Sequence, residues 1–234
     1  MARARPGRRA AGPRPGVRRR ALASPRAAAG DGWGFTAREL RALRALRTPW
    51  GVQRALEAMP YHLAGTAWSP RRVLAEGTAH CLEGAIFAAA ALRVLGFPPL
   101  LLDLEAVQDS DHVLAVFRTG GHWGAIGKSN FAGLRYRPPV YRTVRELVMS
   151  YFDGYINLRG DRTLRAHSAP VDLARFDRTH PGWMTSAGDV WFIPEHLVGV
   201  PHTPVMTEAM TRALSRVDAR SLRAGLVGHR PPRT

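Results

Sequence analysis

The chain has 234 residues, 45% of them hydrophobic, and a formal net charge of +16. A chain of this length can bury a core without covalent cross-links, and its single cysteine excludes an internal disulfide and a CxxC zinc site. No run approaches the roughly 18 apolar residues that a membrane span needs, so we predict no membrane partner. Because the chain lacks a cysteine pair, we predict a reducing, cytoplasmic location.

The positive charge is unevenly distributed. Residues 1–30 contain nine arginines and no acidic residue, which leaves +7 for residues 31–234. A segment made mainly of Arg, Ala, Pro and Gly has too little apolar surface to offset the entropy of ordering it, so we predict that residues 1–30 are a disordered extension. Its arginines support a weak hypothesis of nucleic-acid binding, although arginine richness is equally typical of a GC-rich coding sequence.

Helix start and stop signals organise the first third of the remaining chain. A T-x-x-E capping box opens a predicted helix over residues 36–46, and a Thr-Pro pair opens a second over residues 48–59. A proline at position 70 predicts a short helical turn. Residues 80–95 are apolar on almost every side, which predicts a buried helix that ends at Gly96.

Strand patterns follow this helix. We predict a strand from about residue 100 to 107 and a second over residues 112–118. The pair Gly120–Gly121 predicts a hairpin turn, and residues 123–130 form the predicted returning strand.

The rest of the chain mixes both kinds of signal. Residues 131–142 contain two prolines and are predicted to be a loop or an edge strand. A second capping box predicts a helix over residues 143–155, and residues 163–173 predict another strand. The aromatic residues within 183–197 are predicted to cover one end of the core.

Helices followed by strands define an α+β architecture in which an antiparallel sheet receives the buried helix. We predict one domain over residues 31–200. Residues 201–234 are predicted to form a short C-terminal helix and a frayed tail.

Two interpretations of Cys81 stand side by side. Cys81 shares a helical stripe with Ala85, Ala88, Leu92 and Leu95, and free cysteine is often a core residue. It also lies in the first helical turn, where unpaired N–H groups and the helix dipole favour a thiolate and lower its pKa. The second interpretation predicts a nucleophile.

A histidine at the start of a strand provides a candidate base. If the two turn glycines are the central residues of the hairpin, paired residues sum to 241 and His112 faces Ser129; a slip of one residue brings it opposite Asn130. The Asn130 amide, or less favourably Ser129, would then orient the imidazole, as in Cys-His-Asn sites. Asp111 and Glu83 are candidate supporting residues, although a carboxylate in a first helical turn more often serves as a cap.

Four acidic residues and a histidine between positions 103 and 112 form a candidate metal site. Oxygen ligands of this kind suit a hard cation, but the spacing is not that of an EF-hand, and acidic residues around a loop are usually solvated. We therefore predict no metal and no cofactor. The cluster comprises Asp103, Glu105, Asp109, Asp111 and His112.

Residues 66–131 resemble the transglutaminase-like superfamily, which includes papain-like cysteine peptidases in the broad sense. The resemblance rests on a cysteine at the head of a buried Ala-rich helix, a Gly-Phe-Pro sequence, a strand, a strand that begins with histidine, and a Trp-bearing return strand. It implies that Cys81 is the nucleophile and His112 the general base. The family's third member is usually an aspartate closing the second hairpin strand; here Gly127 stands near that place, with Ser129 and Asn130 beyond it.

The resemblance implies a thiol-dependent hydrolase or acyltransferase that acts on an amide or peptide substrate through Cys81 and His112. The hairpin register adds Asn130 as the third member of the predicted site. Because the usual aspartate is missing, an inactive binding scaffold of the same fold is the first alternative. A basic protein that binds nucleic acid through residues 1–30 is the second alternative.

Overall fold

The computed structural model describes residues 33–230. The predicted disordered extension over residues 1–30 lies outside this range. The helices of the described chain are α1 (Ala37–Ala45), α2 (Pro49–Ala58), α3 (Pro70–Glu76), α4 (Cys81–Val94), α5 (Val144–Met149), α6 (Phe176–Thr179), α7 (Phe192–Gly199), α8 (Glu208–Arg212) and α9 (Ala219–Gly225).

Within residues 33–230, seven strands form one antiparallel sheet with the order β4-β3-β2-β1-β5-β7, and β6 pairs beside β5 on β1. Together with the helices, this sheet confirms a mixed α+β fold. The strands are β1 (Leu100–Ala106), β2 (His112–Thr119), β3 (His122–Ile126), β4 (Arg137–Tyr141), β5 (Leu164–Ser168), β6 (Val171–Asp172) and β7 (His202–Pro204).

The predicted helix starts are confirmed by their side-chain caps. Thr36 Oγ1 accepts from the Glu39 backbone N–H at 3.3 Å, and the Glu39 carboxylate accepts from the Thr36 N–H at 2.6 Å. Thr48 Oγ1 accepts from the Gly51 N–H at 3.0 Å and opens α2. These bonds satisfy N–H groups that the first helical turn leaves without partners.

Helix α4 is the centre of the first core. Its residues are buried on almost every side, as its apolar composition predicts, and it packs against β2 and against α1, α2 and α3. Gly96 follows with φ = 90°, a conformation that favours glycine and stops the helix. Within residues 33–230, no helix is long and apolar enough to cross a membrane.

The hairpin register is as predicted. Thr119 pairs with His122 and Ala115 with Ile126, so paired residues sum to 241. Gly120 and Gly121 both have positive φ, at 59° and 83°, as a two-residue turn of this kind requires.

The sheet is covered on both faces because its side chains alternate. On β2, Val113, Ala115 and Phe117 pack into the core around α4, whereas Leu114 and Val116 pack into a second core. This second core contains residues of α5 and the buried rings of two tyrosines that follow it, Tyr151 and Tyr155. Strands buried on both faces read as continuous apolar runs.

Strand β3 is shorter than predicted and ends at Ile126. The reason lies in α2: the Gln53 amide donates to the Gly127 carbonyl at 3.0 Å and accepts from the Gly127 N–H at 3.1 Å. Since a side chain occupies both backbone groups of Gly127, the ladder cannot continue through it.

Several other boundaries differ from the prediction. Helix α5 ends at Met149 and is followed by a short 3-10 helix over Phe152–Gly154, rather than continuing to residue 155. Residues 137–141 form the edge strand β4. The sheet also continues past residue 200, because β7 pairs with β5.

Candidate active site

Cys81 and His112 lie at the same end of the molecule. Cys81 is the first residue of α4 and His112 the first of β2, and both line one cavity of about 150 Å³. Cys81 is partly exposed, whereas His112 is 4% exposed. The other lining residues are Tyr61, Asp109, Ser110, Asp111, Ser129, Asn130, Phe131, Leu134 and Tyr155.

A backbone carbonyl orients His112. His112 Nε2 lies 3.0 Å from the carbonyl oxygen of Leu134 in the buried floor of the site. A carbonyl oxygen can only accept, so Nε2 carries the proton and Nδ1 keeps its lone pair. Among residues 33–230, Nδ1 has no hydrogen-bond partner, and it is therefore the nitrogen available to take a proton.

The predicted contact between Asn130 and His112 is wrong. The Asn130 amide donates to the Arg230 carbonyl at 2.8 Å and accepts from the Arg230 N–H at 2.9 Å, so it is occupied by the C-terminal segment. The hairpin register does not reach this residue because β3 ends at Ile126. Asn130 still lines the cavity, but the Leu134 carbonyl takes the place predicted for its amide.

The absence of a side chain at Gly127 lets the Leu134 carbonyl lie beside the imidazole of His112. A Cβ at this position would lie 2.8 Å from the Leu134 oxygen and 3.3 Å from His112 Nε2. Gly127 is also the position near which the resemblance places an aspartate. With no side chain at Gly127, the chain around Leu134 comes close enough for its carbonyl to contact the imidazole.

Ser129 and Asp111 line the cavity without contacting the imidazole by a hydrogen bond. Ser129 is 6% exposed, and its hydroxyl accepts from the Phe131 N–H at 2.9 Å. The Asp111 carboxylate accepts from the Ala106 N–H at 2.8 Å and closes the loop between β1 and β2.

The thiol does not have the lowered pKa that its place in the first helical turn predicts. Burial raises the pKa of the Cys81 thiol above its ordinary value. The backbone N–H groups of Leu82 and Val113 and the Tyr61 hydroxyl stabilise the thiolate and oppose this effect, but they are outweighed.

Burial also controls the histidine. It lowers the pKa of His112 to about 4, against a smaller opposing effect of the hydrogen bond to Leu134. At neutral pH the resting pair is therefore a neutral thiol and a neutral imidazole, not a preformed ion pair.

Tyr61 was not identified from the sequence. It comes from the loop after α2 and forms an isolated parallel bridge with Ala79, two residues before Cys81. Burial raises the pKa of Tyr61, and the neighbouring Cys81 sulfur adds to this effect, so its hydroxyl remains a hydrogen-bond donor next to the thiol. The stretch around Tyr61 shows no pattern that predicts this long-range contact.

Glu83 stabilises the structure next to the cavity without lining it. Its carboxylate is fully buried and accepts from His62 Nδ1 at 2.9 Å, from Thr66 Oγ1 at 2.5 Å and from the backbone N–H groups of Trp68 and His80. Glu83 is absent from the cavity lining, so it serves as a cap that ties the Tyr61 loop to the start of α4.

Glu83 and two neighbouring histidines are the set best suited to hold a metal in the described chain. Ligand atoms of His62, His80 and Glu83 lie within 4.8 Å of one another. Each is already engaged, because His62 Nδ1 bonds Glu83 and His80 Nε2 lies 2.8 Å from the Thr66 carbonyl. Hydrogen bonding within the protein therefore accounts for the cluster.

The comparisons with known proteins give a short similarity. No family model matches the chain. Tubulinyl-Tyr carboxypeptidase 1 of Mus musculus is 41% identical over 44 residues, which are 19% of this chain and 12% of the mouse protein. The chain therefore resembles a carboxypeptidase over a small part of both sequences, and the match covers about an eighth of that relative's length.

Proposed function

We propose that this protein is a thiol-dependent hydrolase or acyltransferase that acts on amide or peptide bonds. Cys81 is the nucleophile and His112 the general base. The observation that carries the proposal is the hydrogen bond from His112 Nε2 to the Leu134 carbonyl, because it leaves Nδ1 free in a cavity shared with the thiol.

The proposed reaction begins from the neutral pair. As Cys81 Sγ attacks the carbonyl carbon, its proton moves to His112 Nδ1, and His112 then donates that proton to the leaving amine. The result is a thioester on Cys81, which water or a second amine resolves. The Leu82 N–H near the start of α4 and the Tyr61 hydroxyl stabilise the thiolate, and we expect them also to stabilise the developing oxyanion.

The comparisons support a peptide-type substrate. The name of the mouse relative describes a carboxypeptidase that acts on tubulinyl-tyrosine, and a carboxypeptidase cleaves an amide bond. We extend only the amide-bond chemistry to this chain.

A non-catalytic binding scaffold is the second candidate. It is favoured by the raised pKa of Cys81 and by Gly127 in place of the family's aspartate. The two candidates differ in whether the folded protein can be acylated on its single cysteine.

Acylation by p-nitrophenyl acetate tests the proposal. We expect the folded protein to gain one acetyl group and release one equivalent of nitrophenolate, because a base-assisted thiol attacks an activated ester. Cys81→Ser should abolish the thioester, and His112→Gln should slow acetylation by about 100-fold or more. Intact-mass spectrometry measures the acetyl group gained, and absorbance measures the nitrophenolate released.

His122→Gln is the matched control, because it removes an imidazole from the hairpin turn rather than from the cavity. It should acetylate at the wild-type rate. If wild-type protein reacts only after unfolding in urea, or if His112→Gln reacts at the wild-type rate, the scaffold function replaces the enzyme. If the wild type is acetylated as expected, hydroxylamine is added as an acceptor. Formation of acetohydroxamate then indicates acyl transfer, and release of acetate indicates hydrolysis.

A further inference from the structure

The cavity around Cys81 has a charge opposite to that of the chain. Asp109 and Asp111 line it, and no arginine or lysine of the described residues does. The chain carries 34 lysines and arginines against 18 acidic residues. A cavity that merely reflected this composition would be basic, so its acidic rim is a local property.

Both carboxylates are held in place by the fold. Asp109 accepts from Thr163 Oγ1 at 2.8 Å, and Asp111 accepts from the Ala106 N–H at 2.8 Å. Both lie in the loop just before β2, so these hydrogen bonds hold them near His112. Asp109 is half-buried and Asp111 exposed, so both can contact a ligand that enters from solvent.

Basic side chains near the cavity are engaged by the protein. The Arg135 guanidinium donates to the carbonyl of the lining residue Ser129 at 3.5 Å. Lys128 is absent from the cavity lining, and its ammonium donates to the Leu56 carbonyl at 2.7 Å. Arg159 lines a neighbouring cavity of about 530 Å³ that shares Asp109, but its guanidinium pairs with Asp161 at 3.0 Å. The two rim carboxylates are therefore not neutralised by these groups.

Aromatic rings complete the lining. Tyr61, Phe131 and Tyr155 face the same cavity, and carboxylates combined with aromatic rings are the surroundings that an organic cation prefers. The two carboxylates also affect a group inside the cavity. Burial raises the pKa of Tyr155, and the negative charges of Asp109 and Asp111 raise it further. His112 does not oppose this field because it is neutral.

We propose that the acyl donor carries a positive charge, an ammonium or guanidinium group, within a few bonds of the carbonyl that Cys81 attacks. This inference rests on the proposed function, since it names the substrate class of the same site. The cation lies against Asp109 and Asp111 while the acyl group reaches the thiol.

Methanethiosulfonate reagents of different charge test the field at Cys81. The single cysteine makes every adduct a report on this site. Rates for the cationic trimethylammonium, anionic sulfonate and neutral methyl reagents are each divided by the rate with 2-mercaptoethanol. We expect the cationic reagent to exceed the anionic one by about tenfold or more at low salt. The chain's net charge alone predicts the opposite preference.

Substitution locates the source of the preference. Asp109→Asn and Asp111→Asn should each lower the cation-to-anion ratio by about two- to fivefold. Glu208→Gln, which removes a carboxylate from the exposed helix α8, should leave the ratio unchanged. If a variant does not fold, the wild-type ratio measured in 1 M salt replaces it and should fall towards one. A wild-type ratio at or below one overturns the inference.

Activated esters separate this inference from the proposed function. We compare p-nitrophenyl esters of two acyl groups of equal length, one ending in an ammonium and one in a carboxylate. Faster acylation of Cys81 by the cationic ester, lost in the double Asp→Asn variant, supports the inference. Acylation with no preference, or with preference for the anion, overturns it and leaves the enzyme proposal intact. Failure of both esters and of p-nitrophenyl acetate overturns the enzyme proposal itself.

Discussion

At the scale of single residues, the chemistry of the site is set by burial. His112 is almost fully buried and Cys81 partly so, and this burial drives both towards their neutral forms. A neutral imidazole can accept a proton, but a pKa of about 4 makes His112 a weaker base than an ordinary histidine. The same burial must be reflected in the stability of the folded protein.

We expect acid to destabilise the protein through His112. The pKa of His112 is about 4 in the folded state against 6.5 for the ordinary side chain, so below pH 6.5 the unfolded chain binds the proton more readily. This contribution to stability is fully present above about pH 6.5 and is lost as the pH falls to about 4. The loss amounts to about 3 kcal/mol. Urea unfolding midpoints between pH 7 and pH 4 measure it.

His112→Gln should flatten this limb of the stability curve, whereas His122→Gln should leave it unchanged. An equally steep loss in His112→Gln would show that other groups cause the acid sensitivity.

Gly127→Ala tests the close approach of Leu134 to His112. The added methyl must displace the Leu134 carbonyl, a backbone atom 2.8 Å away, so the hydrogen bond to His112 should weaken. We expect slower acetylation of Cys81 and a stability loss of about 1–3 kcal/mol from overpacking. Acetylation kinetics and urea unfolding measure the two effects.

Gly199→Ala is the matched control, because no atom lies within 4 Å of the added methyl at the end of α7. If Gly127→Ala acetylates at the wild-type rate, the Leu134 carbonyl is not needed to orient the imidazole.

The candidate site could be predicted from the sequence only in part. Cys81 and His112 were predictable because each begins an element with a recognisable pattern. Asn130 was chosen because the hairpin register was extended beyond the end of β3. Leu134 acts through its backbone, which leaves no trace in the choice of side chain, and Tyr61 depends on a contact between two loops.

At the scale of elements, the sequence predicts helix starts and turns correctly where residues close together in the chain determine them. The capping boxes, the start of α4 and the Gly120–Gly121 turn follow from residues within a few positions of one another. The end of β3 does not, because Gln53, 74 residues earlier in the chain, occupies the backbone of Gly127. Long-range side-chain contacts of this kind set the boundaries that the sequence left open.

The only lysine of the chain joins two of these elements. Lys128 is 7% exposed and donates to the carbonyls of Leu56 and Met59 at the end of α2, and burial lowers its pKa to about 8. Its stem lies against Gly84 of α4, where an added Cβ would be 2.5 Å from the lysine Cβ. Gly84 therefore gives Lys128 the room to cap α2.

Lys128→Met should destabilise the protein by about 1–3 kcal/mol, because buried carbonyls at the end of α2 lose their donor. Urea unfolding measures the change. Arg212→Met is the control, since it removes an exposed cation from α8 and should alter stability by less than about 0.5 kcal/mol. Equal stability of Lys128→Met and wild type would show that water replaces the ammonium without cost.

At the scale of the whole molecule, +9 of the net charge of +16 lies in residues 1–30, before the described part of the chain. Every described helix and strand begins at residue 37 or later, and nine of the arginines precede residue 31. The sheet is covered by α1–α4 on one face and by the α5 region on the other, and the candidate site opens at one end of these layers.

Deleting residues 1–30 should leave the urea midpoint unchanged and remove most affinity for DNA or RNA. The deletion takes away nine positive charges, and phosphate contacts dominate binding of this kind. Fluorescence anisotropy with a labelled oligonucleotide at several salt concentrations measures affinity. A variant that keeps all 234 residues but replaces those nine arginines with serine controls for length. Undiminished affinity in the deletion variant would place nucleic-acid binding in the core.

The carbonyl that orients His112 has a consequence for genetics. If Cys81 and His112 act as proposed, an alanine scan would record these two side chains as indispensable. It would record none for the third partner, because every amino acid supplies the same oxygen at position 134. Selection on this group can act only on the path of the chain, through positions such as Gly127 that keep it close. Replacing the peptide bond after Leu134 with an ester, which makes the oxygen a poorer acceptor, would change the candidate site while leaving all 234 side chains as they are.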